Sequence, residues 1–351
     1  MATFHLGNAI CRSLISWLEL DWPLDWESIF KRSGRLVVEI GFGNGDFLAE
    51  KAETNPDANF VGIERSWGSA QRLMRRIERK GLENVRVVQG SAGYLVEHLF
   101  DQDDIDGAYV NFSDPWPKER HHTRRLIQPE FVSLLGRRLR SGGETTISTD
   151  HTEYAEWINE VLQDQELLQS KFCSSFIHDL PGQRPTKYEQ KARAAGSRIY
   201  YFVWRRDGCV SEPSTHKRVE EMPNVILEGP IDPKQLFSGF EPQTHQESHR
   251  GVPVILKFLR AYQDLSEGRH LVEVMVRDGD LSQHFGISVI TRPDKRLLVK
   301  LAAMGHPRPL YGVKQAVWRV AELILNQFPE MRVASSTVTS DHVEREMEIG
   351  D

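Results

Sequence analysis

The stretch "LVVEIGFGNGD", residues 36–46, decides the fold of this 351-residue chain. Apart from Glu39 its first five residues are apolar, and glycines follow at 41, 43 and 45 before a helical segment opens at Asp46. A short, continuous apolar run is what a parallel strand buried on both faces requires. The glycines let the backbone turn sharply and approach a ligand closely. The opening turn of the next helix offers unpaired N–H groups to a carboxylate or phosphate. Taken alone, such a turn can equally be purely structural.

Two acidic residues narrow the choice. Glu39 stands at the strand end, where a dinucleotide-binding fold usually has an apolar residue, and Glu64 closes the next apolar run, "FVGI". At that place a carboxylate is suited to accept hydrogen bonds from two ribose hydroxyls. A nicotinamide cofactor would need its pyrophosphate cradled by G-x-G-x-x-G, whereas the spacing here is G-x-G-x-G. Glu39 suits the positive amine of an amino-acid head. Spacing and acid together favour S-adenosylmethionine over a dinucleotide.

Outward from this motif, strand and helix alternate. "SWGSAQRLMRRIERKG" places Trp67, Ala70, Leu73, Met74 and Ile77 at helical spacing and stops at Gly81. "VRVVQ", "GAYVNF" and "ETTIST" read as three further strands, with helices expected between Gln128 and Arg140 and over "EYAEWINEVLQ". "SFIHDL" and "RIYYFVW" read as closing strands. This is the pattern of a parallel sheet covered by helices on both faces.

The net charge of −6 gives no global basic field, so any nucleic-acid contact must come from a local patch. Cys11, Cys173 and Cys209 form neither a disulfide framework nor a CxxC pair. With no signal-peptide pattern at the start and no apolar stretch of membrane-spanning length, a cytoplasmic protein without a membrane partner is expected.

The local patch is "VNFSDPWPKERHHTRRL", residues 110–126. Together with "EIGFGNG", "GIE", "STD" and "TKYEQKARAAG", it resembles, in order and spacing, the blocks of bacterial tRNA (guanine-N7)-methyltransferases over about residues 25–206. The resemblance implies an α/β, class I methyltransferase (Rossmann-like) fold with a seven-stranded, mostly parallel sheet. It implies S-adenosylmethionine as cofactor, tRNA as partner, and the guanine at position 46 of the variable loop as target. Glu39 and Glu64 carry over as cofactor contacts beside Gly41, Gly43 and Gly45, and Asp114 as the catalytic residue, counted with the cofactor set as well. Lys118, Asp150, Thr186, Lys187, Tyr188 and Glu189 carry over as substrate-binding positions.

The chemistry fits these residue types. Guanine N7 has an in-plane lone pair, so orientation rather than deprotonation is what the enzyme must supply. Asp114 can accept hydrogen bonds from guanine N1–H and the amino group, and the flanking prolines stiffen its loop. Trp116 suits either base stacking or core packing. Lys118, Arg120, Arg124 and Arg125 suit the RNA backbone. His121 and His122 lack the further ligands of a metal site, so no metal is expected.

Two residues depart from the family pattern. Ser91 stands where an acidic or amide residue usually meets the adenine, and its hydroxyl accepts more weakly. Thr123 replaces a basic residue. Two rivals remain: the same fold acting on another nucleic-acid or protein target, and a catalytically silent RNA-binding homologue, whose only support is Ser91.

Residues 207–250 read as a linker and 251–351 as a small α+β accessory domain, an α/β or ferredoxin-like module with no recognised counterpart. "LVEVMVRD", a hairpin "ISVITRPDKRLLVKL", a helix over "YGVKQAVWRVAELILNQF" and a strand in "MRVASSTV" are expected. Arg292, Lys295, Arg296 and Lys300 would serve an RNA-docking role, but the slightly acidic balance favours oligomerisation or packing. Monomer and homodimer both stay open.

Overall fold

The structure, a computed structural model, describes residues 12–338 except 183, 184, 186, 209–216, 219 and 265–268. It divides into two compact units, Met1–Lys217 and Arg218–Asp351. In the first, β1 (Leu36–Ile40), β2 (Asn59–Glu64), β3 (Val85–Gln89), β4 (Ile105–Asn111) and β5 (Leu139–Thr149) run parallel. β6 (Leu168–Ser170) and β7 (Tyr200–Arg206) complete the sheet, with β7 antiparallel to both β5 and β6. The order is β3-β2-β1-β4-β5-β7-β6. Strand order therefore reverses between β1 and β4, and the crevice at their carboxyl ends is where such a sheet binds ligands.

The helices of this unit are α1 (Trp26–Phe30), α2 (Asp46–Thr54), α3 (Trp67–Lys80), α4 (Ala92–Leu99), α5 (Pro129–Arg138), α6 (Thr152–Gln163) and α7 (Lys187–Ala194). Several start and stop for local reasons. Ser66 accepts from the Ser69 N–H to cap α3, Gly81 ends it at a φ of 63°, and Pro129 opens α5 where no N–H is needed. Helix α3 buries Ala70, Leu73, Met74 and Ile77 as their spacing requires, whereas Trp67 stays exposed at its first turn.

One expected strand is absent. "SFIHDL" contributes only a single bridge, Ile177 to Tyr201, and the sheet edge is instead β6, which precedes it in the chain. Apolar character alone did not distinguish a strand from a loop that lays one side chain on the core.

The second unit is a seven-stranded antiparallel sheet. Its strands are β8 (Asn224–Glu228), β9 (Gln243–His249), β10 (Val252–Gln263), β11 (His270–Asp278), β12 (Leu281–Thr291), β13 (Leu297–Leu301) and β14 (Arg332–Ser336), in the order β14-β8-β13-β12-β11-β10-β9. Helix α8 (Tyr311–Gln327) packs Val313, Val317, Val320 and Ile324 against the inward residues of these strands. The expected linker at 207–250 is thus partly structured, because Val225 and Leu227 of β8 alternate into this core and β9 forms its edge. With one helix among the described residues, the unit is not ferredoxin-like. Among the described residues no helix is long and apolar enough to cross a membrane.

Candidate active site

Residues from the ends of five neighbouring strands meet at one rim of the first sheet. At its centre the turn after β1 carries Gly41, Gly43 and Gly45 at φ values of 74°, 55° and 70°. A side chain at 41 or 43 would meet nothing within 4 Å, so the backbone there faces open space. Gly45 is required for a different reason: a Cβ would lie 2.7 Å from Leu73 of α3. The Gly45→Ala variant, strained in φ and pressed on Leu73, is expected to lose about 1–3 kcal/mol of stability in denaturant unfolding.

Glu64, at the end of β2, holds this turn. Its Oε2 accepts from the Gly43 N–H at 3.0 Å, and its Oε1 from the N–H groups of Arg65 and Ser66 at 2.8 and 2.9 Å. The carboxylate is therefore fixed in orientation at the end of its strand and still half-exposed.

Glu39 is the unusual residue. It is 2% exposed in a strand buried throughout, and Asn111 Nδ2 donates to its Oε1 at 3.0 Å. Its Oε2 is buried and has no hydrogen-bond partner. Burial pushes its carboxyl up to about 7, against the opposing influence of Asn111 and of the Leu48 backbone N–H in the first turn of α2. A buried acceptor left unsatisfied is costly and calls for an explanation. The amine of an amino-acid head provides one, as a donor that also compensates the charge. The open turn at Gly41 and Gly43 leaves room for that head, so the residues fit S-adenosylmethionine. Ser91, which precedes α4 at the end of β3, makes no side-chain capping bond and is exposed on the same rim.

The loop after β4 is held from several sides. Phe112 and Trp116 adopt left-handed φ values of 52° and 43°, bracketing Ser113, Asp114 and Pro115. Such conformations in bulky residues cost on the order of 1–3 kcal/mol each and persist only where surroundings enforce them. The Phe112 N–H donates to the Ser148 carbonyl at 2.9 Å, and Ser113 Oγ lies 3.2 Å from the hydroxyl of buried Tyr154. Arg125 Nε donates to the Pro115 carbonyl at 2.9 Å. The result is an exposed Asp114 on a rigid support. Asp150, directly after β5, is exposed on the adjacent strand end.

The basic run divides in two. Lys118, Arg120 and Arg124 are exposed, with the Arg124 guanidinium 5.2 Å from the centre of the half-buried Trp116 ring. Arg125 corrects the expectation of a backbone contact, being 3% exposed. Besides Pro115 it engages Glu153 at 3.0 Å and His122 at 2.9 Å, and its guanidinium lies over the rings of Tyr154 and Trp157. It is a strut for the Asp114 loop and has no free face for RNA. Arg125→Ala should cost about 2–4 kcal/mol in thermal or denaturant unfolding, since Glu153 retains solvent while the Pro115 carbonyl loses its donor.

In the "TKYEQ" block, Thr186 lies outside the described residues, and Lys187 begins α7. Tyr188 is 62% exposed, available to a ligand. Glu189, in contrast, is buried and accepts from Arg193 Nε at 3.1 Å, while Arg193 also reaches Asp179 at 3.0 Å. Burial, then the bond to Glu189, raises the Tyr201 phenol well above its ordinary range. Glu189 thus anchors α7 to the sheet, beside the role as a substrate contact that the resemblance implies. Among the described residues no group of three or more His, Cys, Asp or Glu side chains is placed to hold a metal.

Sequence reasoning missed Asn111, Ser148 and Tyr154. A signal existed for the first: Asn111 is a polar residue closing an apolar strand, beside the motif already singled out.

An alternating α/β sheet in this strand order, with an acidic strand end over a glycine turn, defines a class I, S-adenosylmethionine-dependent methyltransferase. A family model described as a putative methyltransferase matches residues 33–202. The tRNA (guanine-N(7)-)-methyltransferase of Thermotoga maritima is 30% identical over 312 residues, covering 87% of this chain and 94% of the relative. The enzyme of the same name from Aquifex aeolicus is 32% identical, covering 82% of this chain and 94% of its own. That of Nocardia farcinica is 42% identical over 196 residues, covering 52% and 72%. This chain belongs to the tRNA (guanine-N(7)-)-methyltransferase family. The 312-residue alignment is longer than the first unit, so the second unit, unrecognised from sequence, has a counterpart in at least one relative.

Proposed function

We propose that the chain transfers a methyl group from S-adenosylmethionine to N7 of guanine in tRNA, at position 46 of the variable loop. The observation that carries the reading is the pairing, across β1 and β4, of an unsatisfied buried carboxylate at Glu39 with an exposed Asp114 on a braced loop. Glu39 and Glu64 would hold the amino-acid and ribose ends of the cofactor, with Ser91 at the adenine. When bound, S-adenosylmethionine supplies a methyl group on a positively charged sulfur.

What the chain contributes is positioning. Guanine N7 needs no base to remove a proton, so the work lies in presenting its lone pair in line with the methyl. Asp114 accepts from N1–H and the exocyclic amine, a donor pair that neither adenine nor cytosine presents. The left-handed turns at Phe112 and Trp116 and the Arg125 strut keep its carboxylate from relaxing when the base arrives. Extruding the base costs a few kcal/mol, which stacking offsets by about 1–3 kcal/mol where an aromatic face is available. The exposed Tyr188 and the half-buried Trp116 are the candidates. Lys118, Arg120 and Arg124 would meet phosphates, with Asp150 and Lys187 at the base or ribose. A cytoplasmic location follows from tRNA as substrate.

Position 46 is tested by borohydride reduction and aniline cleavage of methylated tRNA, which cuts at N7-methylguanosine. A cut in the variable loop supports the assignment, and a cut elsewhere removes the position while leaving the chemistry.

A further inference from the structure

We infer that Asn111, held by Ser148, is a positioning residue for the cofactor's amino-acid head, acting through Glu39. The inference rests on the cofactor reading above and adds a residue outside the glycine turn.

Three adjacent strands contribute one polar side chain each to the same face of the sheet. Register places Asn111 opposite Ser148 of β5, and Tyr109, two residues before Asn111, opposite Glu39 of β1. Since side chains alternate along a strand, Glu39, Asn111 and Ser148 share that face. Ser148 Oγ donates to Asn111 Oδ1 at 3.1 Å, and Asn111 Nδ2 donates to Glu39 Oε1 at 3.0 Å. The serine occupies the amide oxygen, which leaves the NH2 end of Asn111 to face the carboxylate.

Two consequences follow for Glu39. One oxygen is tied by a donor, so the carboxylate cannot rotate freely in its pocket. The other, Oε2, is left as the single unsatisfied acceptor of the group, available to an incoming ammonium. Space on this face is kept by Gly62, the register partner of Glu39 in β2: a side chain there would lie 2.7 Å from both Leu48 and Phe42. The strand also ends at Asn111, because Phe112 turns left-handed with its N–H on the Ser148 carbonyl. The residue that positions Glu39 is thus continuous with the loop that carries Asp114.

An interaction confined to the amino-acid head is separable from one that merely keeps the strand end folded. S-adenosylhomocysteine carries the ammonium group, and 5′-methylthioadenosine has the same nucleoside without it. Isothermal titration calorimetry of the full chain with both ligands is the test. Asn111→Ala should weaken S-adenosylhomocysteine at least about tenfold, the worth of one charge-assisted hydrogen bond, and leave 5′-methylthioadenosine within about twofold. Asn111→Asp, equal in shape but without the donor, should weaken S-adenosylhomocysteine at least as much. Ser148→Ala should give a smaller loss in the same direction. Equal weakening of both ligands, or tolerance of Asn111→Asp, would overturn the inference while leaving the cofactor reading intact. Failure of the unmodified chain to bind either ligand would overturn the cofactor reading itself, and this inference with it.

Discussion

Asp114→Ala is expected to lower kcat/KM for methyl transfer to tRNA by about a hundred- to ten-thousandfold. The estimate comes from two hydrogen bonds to a charged acceptor, each worth about 1.5–3 kcal/mol, with about 1.4 kcal/mol per tenfold in rate. Asp114 lies on the loop beyond β4, whereas the buried carboxylate proposed to accept the amino-acid head is Glu39 in β1. Affinity for S-adenosylhomocysteine should therefore stay within about threefold, an effect of less than 1 kcal/mol. Single-turnover transfer and calorimetry on the same preparation separate the two roles. A comparable loss in both would make Asp114 a cofactor ligand first.

Glu39→Gln should have opposite effects on stability and on binding. The carboxyl titrates at about 7 in the folded chain because it is buried, against an ordinary value of 4.5. The ligand-free folded state thus holds this proton more tightly than the unfolded one. The stabilisation is fully present below pH 4.5 and is lost as pH rises through about 7. Above that pH the buried carboxylate costs on the order of 3 kcal/mol, which glutamine avoids. At pH 8 the variant should melt higher than the parent, by about 5–10 °C on the scaling for a unit of this size, and at pH 5 the two should nearly coincide. Stabilisation by S-adenosylhomocysteine should shrink in the variant towards that given by 5′-methylthioadenosine. In the parent, cofactor affinity should rise as pH increases through about 7, because only the ionised carboxylate attracts the amine; Asn111 and the Leu48 N–H favour the ionised form, and the nearby charge of Glu64 favours the protonated one. Scanning fluorimetry at the two pH values, with and without ligand, reads all of this. A variant that melts lower at pH 8 would show that the ionised carboxylate is already compensated in the free protein.

These effects explain which parts of the site were legible. Glu39, Glu64 and the glycines were readable because a charge inside a buried strand and alternate glycines after it have few other uses. Asp114 was readable because prolines and an aromatic crowd around it. Arg125 was not, since a run of basic residues carries no sign of which member turns inward. That choice depends on Glu153, Tyr154 and Trp157 of α6, distant in sequence. The anchoring of Glu189 was hidden for the same reason, as its partner Tyr201 becomes a neighbour only when α7 settles on the sheet.

The second unit shows a different limit. β11 to β13 bury alternate residues and were read as strands, whereas β10, "VPVILKFLRAYQ", was not, and β9, "QTHQESH", is an edge strand without one apolar side chain. Its place is set by backbone pairing with β10, and composition is silent on that.

The most direct measurement is transfer from labelled S-adenosylmethionine to unmodified tRNA, followed by digestion and chromatographic identification of the labelled nucleoside. The account predicts N7-methylguanosine. A different methylated nucleoside, or none from a chain that binds the cofactor, would contradict it.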